Sequence, residues 1–193
     1  MKALIPVHKV KFLASFHQQL SDCMAQYVKK GSRLAYNIIT SMLRYWPTSI
    51  TNKQVLFLNE LEETLELTQP PEFHRMHDVL FSQIALCITC PHFQVAERTL
   101  FLWNNDYIVQ LINQNRQVLF PIITGALYKN SKQHWNSAVH CLTFNVLKLL
   151  MEADPQLFDD CSAKHRADEE DEERLVLDRA SKWQQLTTLH AQK

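Results

Sequence analysis

Two histidines and two cysteines stand in pairs, His74-x-x-His77 and Cys87-x-x-Cys90, a donor set that zinc could accept as a tetrahedron. Their spacing argues against one site. If residues 71–89 form a single helix, the 1.5 Å rise per residue puts His74 about 20 Å from Cys87, too far for one ion to span. The cysteines then read as small apolar core residues and the histidines as surface or helix-end groups. His140 beside Cys141 fares no better as a base and nucleophile, because neighbouring helical residues diverge by about 100°. Glu60, Glu62, Glu63 and Glu66 could in principle ligate metals or transfer protons. On a helix they spread over a face instead of converging on one cavity, and an outward, solvated or docking face is the expectation. Nothing resembles a nucleophile elbow, so no catalytic, cofactor or metal residue is assigned.

The elements carrying these residues read as helical almost throughout. Phe93, Ala96, Leu100 and Trp103 share one helix face, as do Phe57, Leu58, Leu61 and Leu65. Thr51 with Gln54 reads as a capping box that starts a helix near residue 52. Breaks fall at Lys30-Gly31-Ser32, Trp46-Pro47, Gln69-Pro70-Pro71, Cys90-Pro91, Asn104-Asn105 and Asp154-Pro155. The segments between them are approximately 17–30, 33–46, 52–68, 71–89, 92–103, 115–129, 134–152 and 155–185. They group as about four antiparallel pairs beginning near 17, 52, 92 and 134. A period of about 35–42 residues suits two-helix solenoid repeats, in which each unit buries its apolar faces by stacking on its neighbours. The fold expected is therefore all-α, a HEAT-like helical-repeat solenoid over residues 1–161 with a charged helical extension or tail over 162–193. An irregular helical bundle is the alternative.

Composition narrows the function. Across the 193 residues, 20 Lys and Arg balance 20 Asp and Glu, so no global field favours nucleic acid. Two glycines, Gly31 and Gly125, cannot build a phosphate-cradling loop. Charge is nonetheless uneven. Residues 1–58 hold eight bases and one acid (net +7), whereas residues 150–193 hold six bases and eleven acids (net −5). The run Arg166 to Arg174 reads as a solvated charged face. Five scattered cysteines, an odd number, suit a reducing intracellular compartment, cytoplasmic or nuclear, and no apolar run is long enough to span a membrane. The apolar opening Ala3 to Val7 reads as part of an element whose partner lies upstream.

Longer strings are more specific. FLNELEE (57–63), PHFQVAERTLFLWNN (91–105), ALYKNSKQHWN (126–136) and LFDDC (157–161) follow one another in an order and spacing that resembles the B-prime family of protein phosphatase 2A regulatory subunits. LIPVHKVKFL (4–13), MLRYWP (42–47) and QPPEF (69–73) are similar to the same family, so the resemblance covers residues 3–161 and matches its carboxy-terminal half. Departures are modest. The family more usually has Ala-Leu-Tyr-Tyr-Trp at Thr99-Leu100-Phe101-Leu102-Trp103, and Ile-Leu at Thr64-Leu65.

This resemblance implies a curved array of HEAT-like helical pairs with no active site of its own. It implies a regulatory subunit that joins a scaffold subunit and a catalytic serine/threonine phosphatase subunit and selects phosphoprotein substrates. The family's groove for short docking peptides lies mainly in repeats upstream of these strings, so none of its residues is carried over. A generic helical-repeat adaptor, or a family fragment that does not assemble, are the alternatives. Partner-contact candidates, chosen for expected exposure, are Glu60, Glu62 and Glu63 on the acidic face, with His92, Asn105, Lys132 and His134 at helix junctions.

Overall fold

A computed structural model describes residues 4–191, and every regular element among them is helical. In chain order these are α1 (His17–Lys30), α2 (Arg33–Arg44), α3 (Thr51–Glu66), α4 (Pro70–His74), α5 (His77–Ile88), α6 (Phe93–Leu100), α7 (Asp106–Gln114), α8 (Arg116–Gln133), α9 (Ser137–Ala153) and α10 (Pro155–Ala191). Short 3₁₀ turns occupy Ile5–Lys9, Leu13–Ser15 and Phe101–Asn104.

Local chemistry explains most boundaries. Helix α2 stops at Arg44, two residues short of the expected end, because Trp46 precedes Pro47 and the pre-proline position disfavours helical backbone. Asn105 caps α7 by accepting from the Tyr107 and Ile108 N–H groups, and Asn136 caps α9 by accepting from Ala138 and Val139. Asp154 Oδ1 accepts from the Leu157 N–H at 3.2 Å where Pro155 opens α10. The capping box at Thr51 does not form. The N-cap is Ile50, and Gln54 Nε2 instead donates to Thr48 O at 3.1 Å.

Two expected segments divide differently. Residues 71–89 are two helices, α4 and α5, interrupted at Arg75-Met76 without a proline or glycine. Residues 106–114 form α7, whose Ile108, Leu111 and Ile112 are buried. Its capping asparagine and 3.6-residue spacing are visible in the sequence, and the expectation of a break at Asn104-Asn105 hid them.

Contacts between elements define two layers. One runs α1, α3, α6, α9 and the other α2, α5, α8, α10, each helix packing on its counterpart in the next pair. The expected four pairs are thus present, with α4 and α7 as short helices inside the second and third. One continuous core follows the layers. Phe57, Phe73, Phe81 and Phe120 are fully buried within it, and Phe81 meets the edges of Phe73 and Trp103. Ile5 belongs to that core; Ala3 lies outside the described residues. Helix α10 runs through residue 161 without a break. It is buried at Phe158 and Cys161, and almost every residue from Arg166 to Gln184 is exposed.

Candidate partner-contact surface

The acidic face of α3 is the largest departure from expectation. Glu60 does not point to solvent: its side chain is fully buried, and it accepts hydrogen bonds from His8 Nε2 at 2.9 Å and His17 Nε2 at 3.0 Å. His8 Nδ1 also lies 2.9 Å from Ile5 O. A carbonyl and a carboxylate both only accept, so both His8 nitrogens donate and the ring is an imidazolium. Burial opposes charge on His8, but the hydrogen bond and charge of Glu60 outweigh it and raise its pKa. Burial would likewise raise that of Glu60, and the two histidine hydrogen bonds lower it instead. Buried Lys53 closes the cluster by donating to His8 O and Lys9 O.

The neighbouring glutamates are also engaged. Glu62 pairs with Arg98 of α6, which also donates to Asn59. Glu63 accepts from Ser21 Oγ of α1 at 2.5 Å, and exposed Glu66 accepts from Asn105 Nδ2 at 2.6 Å. The physical reason is the stack. Helix α3 has α1 and α2 on one side and α6 and α7 on the other, so its polar face is an inter-helix seam. Glu60, expected at the surface, therefore lacks the exposure for which it was chosen.

Among the junction residues, His134 is also buried, at 8% exposure, and its Nδ1 accepts the Asn136 N–H at 3.1 Å. It too lacks the exposure expected of a contact. His92 and Asn105 are half-buried, the first stacked on Phe93 and the second occupied as a cap. Lys132 is exposed and reaches Glu169 of α10 at 2.7 Å. Ring contacts link His92 through Phe93 to Trp135 and on to His134, and Trp135, absent from the expected contacts, is the exposed member of that row. Trp135, 69% exposed, donates from Nε1 to Pro91 O and packs edge-on to Phe93. An aromatic at a polar helix junction was its only signal in the sequence.

The paired His and Cys residues go separate ways. His74 Nδ1 bonds Asn115 Oδ1 at 2.9 Å, while His77 is buried against Phe73, and burial lowers its pKa. Burial pushes the Cys87 thiol up to about 12, so it stays protonated and a poor metal ligand. Among the described residues, no three His, Cys, Asp or Glu side chains are grouped to hold a metal ion, and no helix is long and apolar enough to cross a membrane.

Two stacked helical layers with polar inter-repeat seams define an all-α helical-repeat protein. Comparison with known proteins then gives the family. The family model described as protein phosphatase 2A regulatory B subunit (B56 family) matches residues 1–190, and the chain belongs to that family. Over its full length it is 51% identical to the B' theta isoform of the 57 kDa regulatory subunit of serine/threonine protein phosphatase 2A from Arabidopsis thaliana, covering 39% of that protein. It is equally similar to the 59 kDa B' eta isoform of the same plant, covering 38%. To the 56 kDa delta isoform from Homo sapiens it is 44% identical over 189 residues, covering 31%. The chain thus spans well under half the length of these curated relatives. Proteins so named regulate a phosphatase and are not the catalyst.

Proposed function

We propose that this chain works as part of a non-catalytic regulatory subunit of protein phosphatase 2A, held by scaffold and catalytic subunits and presenting phosphoprotein substrates to them inside the cell. The observation that carries this reading is the family match from residue 1 to residue 190 on an uninterrupted two-layer stack. A stack of this kind holds its junctions in fixed relation, which limits the entropy lost on assembly. Tethering a substrate beside another chain's active site raises its effective concentration without changing the chemistry.

The contacts proposed for the partners are Lys132, the aromatic row of Trp135 and His92, and the outer edge of the α3 seam at Glu62, Glu63 and Asn105. Mixing the purified chain with purified scaffold and catalytic subunits tests assembly. Co-elution as a ternary complex supports the reading. A chain that stays separate while remaining helical overturns it in favour of a fragment that does not assemble. Stable capture of unrelated helical peptides without either subunit would instead mark a generic adaptor.

A further inference from the structure

A cavity of about 300 Å³ opens between α2 and the joint linking α4 to α5. Arg44 of α2 and Arg75 of the joint both line it, and no carboxylate does. Arg75 is pre-positioned. Its guanidinium carbon lies 4.3 Å from the Tyr36 ring centroid, and Nη1 donates to Glu72 Oε2 at 3.0 Å. The ring contact and the ion pair hold the guanidinium in place while the Arg75 side chain stays 56% exposed. The Arg44 side chain is exposed and makes no hydrogen bond or ion pair among the described residues. The rest of the wall is apolar: Met76 is buried at the floor, Leu43 is half-buried and Val79 is 58% exposed at the rim.

Two guanidinia on one cavity, only Arg75 of them paired with a carboxylate, and an adjacent apolar shelf select a particular ligand. A phosphoryl ester carries close to two negative charges and three acceptor oxygens, which two forked donors can engage together. A carboxylate offers half that charge. The α2 wall of the cavity lies within residues 1–58, which carry a net charge of +7, while Glu72 and Asp78 flank the other wall.

We propose that this cavity is a docking site for a phosphorylated serine or threonine in a peptide, with the phosphoryl group between Arg44 and Arg75 and the next apolar side chain on Leu43, Met76 and Val79. That the natural ligand is a phosphoprotein rests on the regulatory reading above. Binding itself is measured on the isolated chain, so assembly with phosphatase subunits can fail without deciding it.

The test is fluorescence anisotropy with a labelled Ala-Ala-pSer-Leu-Ala-Ala peptide, alongside versions carrying Ser or Glu in place of the phosphoserine. The expected result is binding about tenfold or more tighter than either control. Arg44→Gln and Arg75→Gln should each weaken it by about tenfold, and Arg75→Lys, which keeps charge but loses the stacked fork, by several-fold. Both arginines are exposed, and unchanged thermal melts of the variants would separate lost binding from lost folding. Equal affinity for the serine peptide, or retention of binding in both glutamine variants, overturns the site. Equal affinity for the glutamate peptide overturns the phosphoryl assignment, and inorganic phosphate competing as well as the phosphopeptide overturns the peptide shelf.

Discussion

Two acidic stretches of this chain look alike on paper and behave oppositely in the fold. Between residues 60 and 66 four glutamates crowd one helix, and between 168 and 173 six acids do the same. The first set lies in a seam, with Glu60 fully buried between two histidines and Glu62 and Glu63 holding α6 and α1. The second lies on the exposed reach of α10, where Glu169 meets Lys132 and Asp171 meets Arg174 at the surface. Composition does not separate them. What does is the number of neighbouring helices: α3 is flanked on both sides by other pairs, whereas beyond Cys161 α10 leaves the core. In a stacked array, a charged face on an inner helix is a joint between repeats.

The largest expected effect follows from the buried joint. Glu60→Ala leaves the His8 imidazolium without its counter-charge, and losing one partner of a buried pair costs about 3–5 kcal/mol. Urea unfolding should show that loss, and a drop below about 1 kcal/mol would mean that the carboxylate is not desolvated and the contrast with α10 is false. A pH dependence of the same joint comes next. His8 titrates above its ordinary 6.5, so its contribution is complete below that value and fades as pH rises through the raised pKa. Glu60 titrates below its ordinary 4.5, so its contribution is complete above that value and fades as pH falls through the lowered one. Stability from this cluster should therefore peak between about pH 4.5 and 6.5. Melting curves of Glu60→Gln should lack that maximum, and a maximum that survives the substitution would assign it to other groups.

The same contrast marks how far the sequence could be read. Apolar spacing placed the helix pairs, since burial of Phe57, Leu61 and Leu65 or of Ala96 and Leu100 needs only the local 3.6-residue period. Long matching strings reached the family. Glu60 was out of reach because its partners lie 43 and 52 residues away, and a helical wheel divides a helix into one inner and one outer face. That division fails for α3. The break at Arg75-Met76 was hidden for a similar reason, having no proline or glycine to announce it. The cavity it creates with α2 joins Arg44 to Arg75, residues of different pairs that no local pattern connects.

Caps sit between the two extremes in expected size. Asn136→Ala removes the acceptor for two N–H groups at the start of α9 and should cost about 1 kcal/mol. Asn105→Ala removes the equivalent cap of α7 and also the bond to Glu66, so it should cost at least as much. Thr51→Ala is the control, because no side chain caps α3, and its urea midpoint should stay put. A Thr51 loss matching that of Asn136 would show that the capping box forms after all.

The smallest effect belongs to the exposed acids, and its smallness is the sharpest check on the comparison. Glu170→Gln and Glu172→Gln alter charge at exposed positions of α10, where solvent screens the interaction. Each should leave the urea midpoint unmoved within error, at both low and high salt. Glu62→Gln on α3 should move it measurably, because it leaves the half-buried Arg98, which also donates to Asn59, without its counter-charge. If the α10 substitutions prove as costly as Glu62→Gln, then some surface must cover the extension in the folded chain, and a run of acids there would be a seam of the same kind as the one on α3.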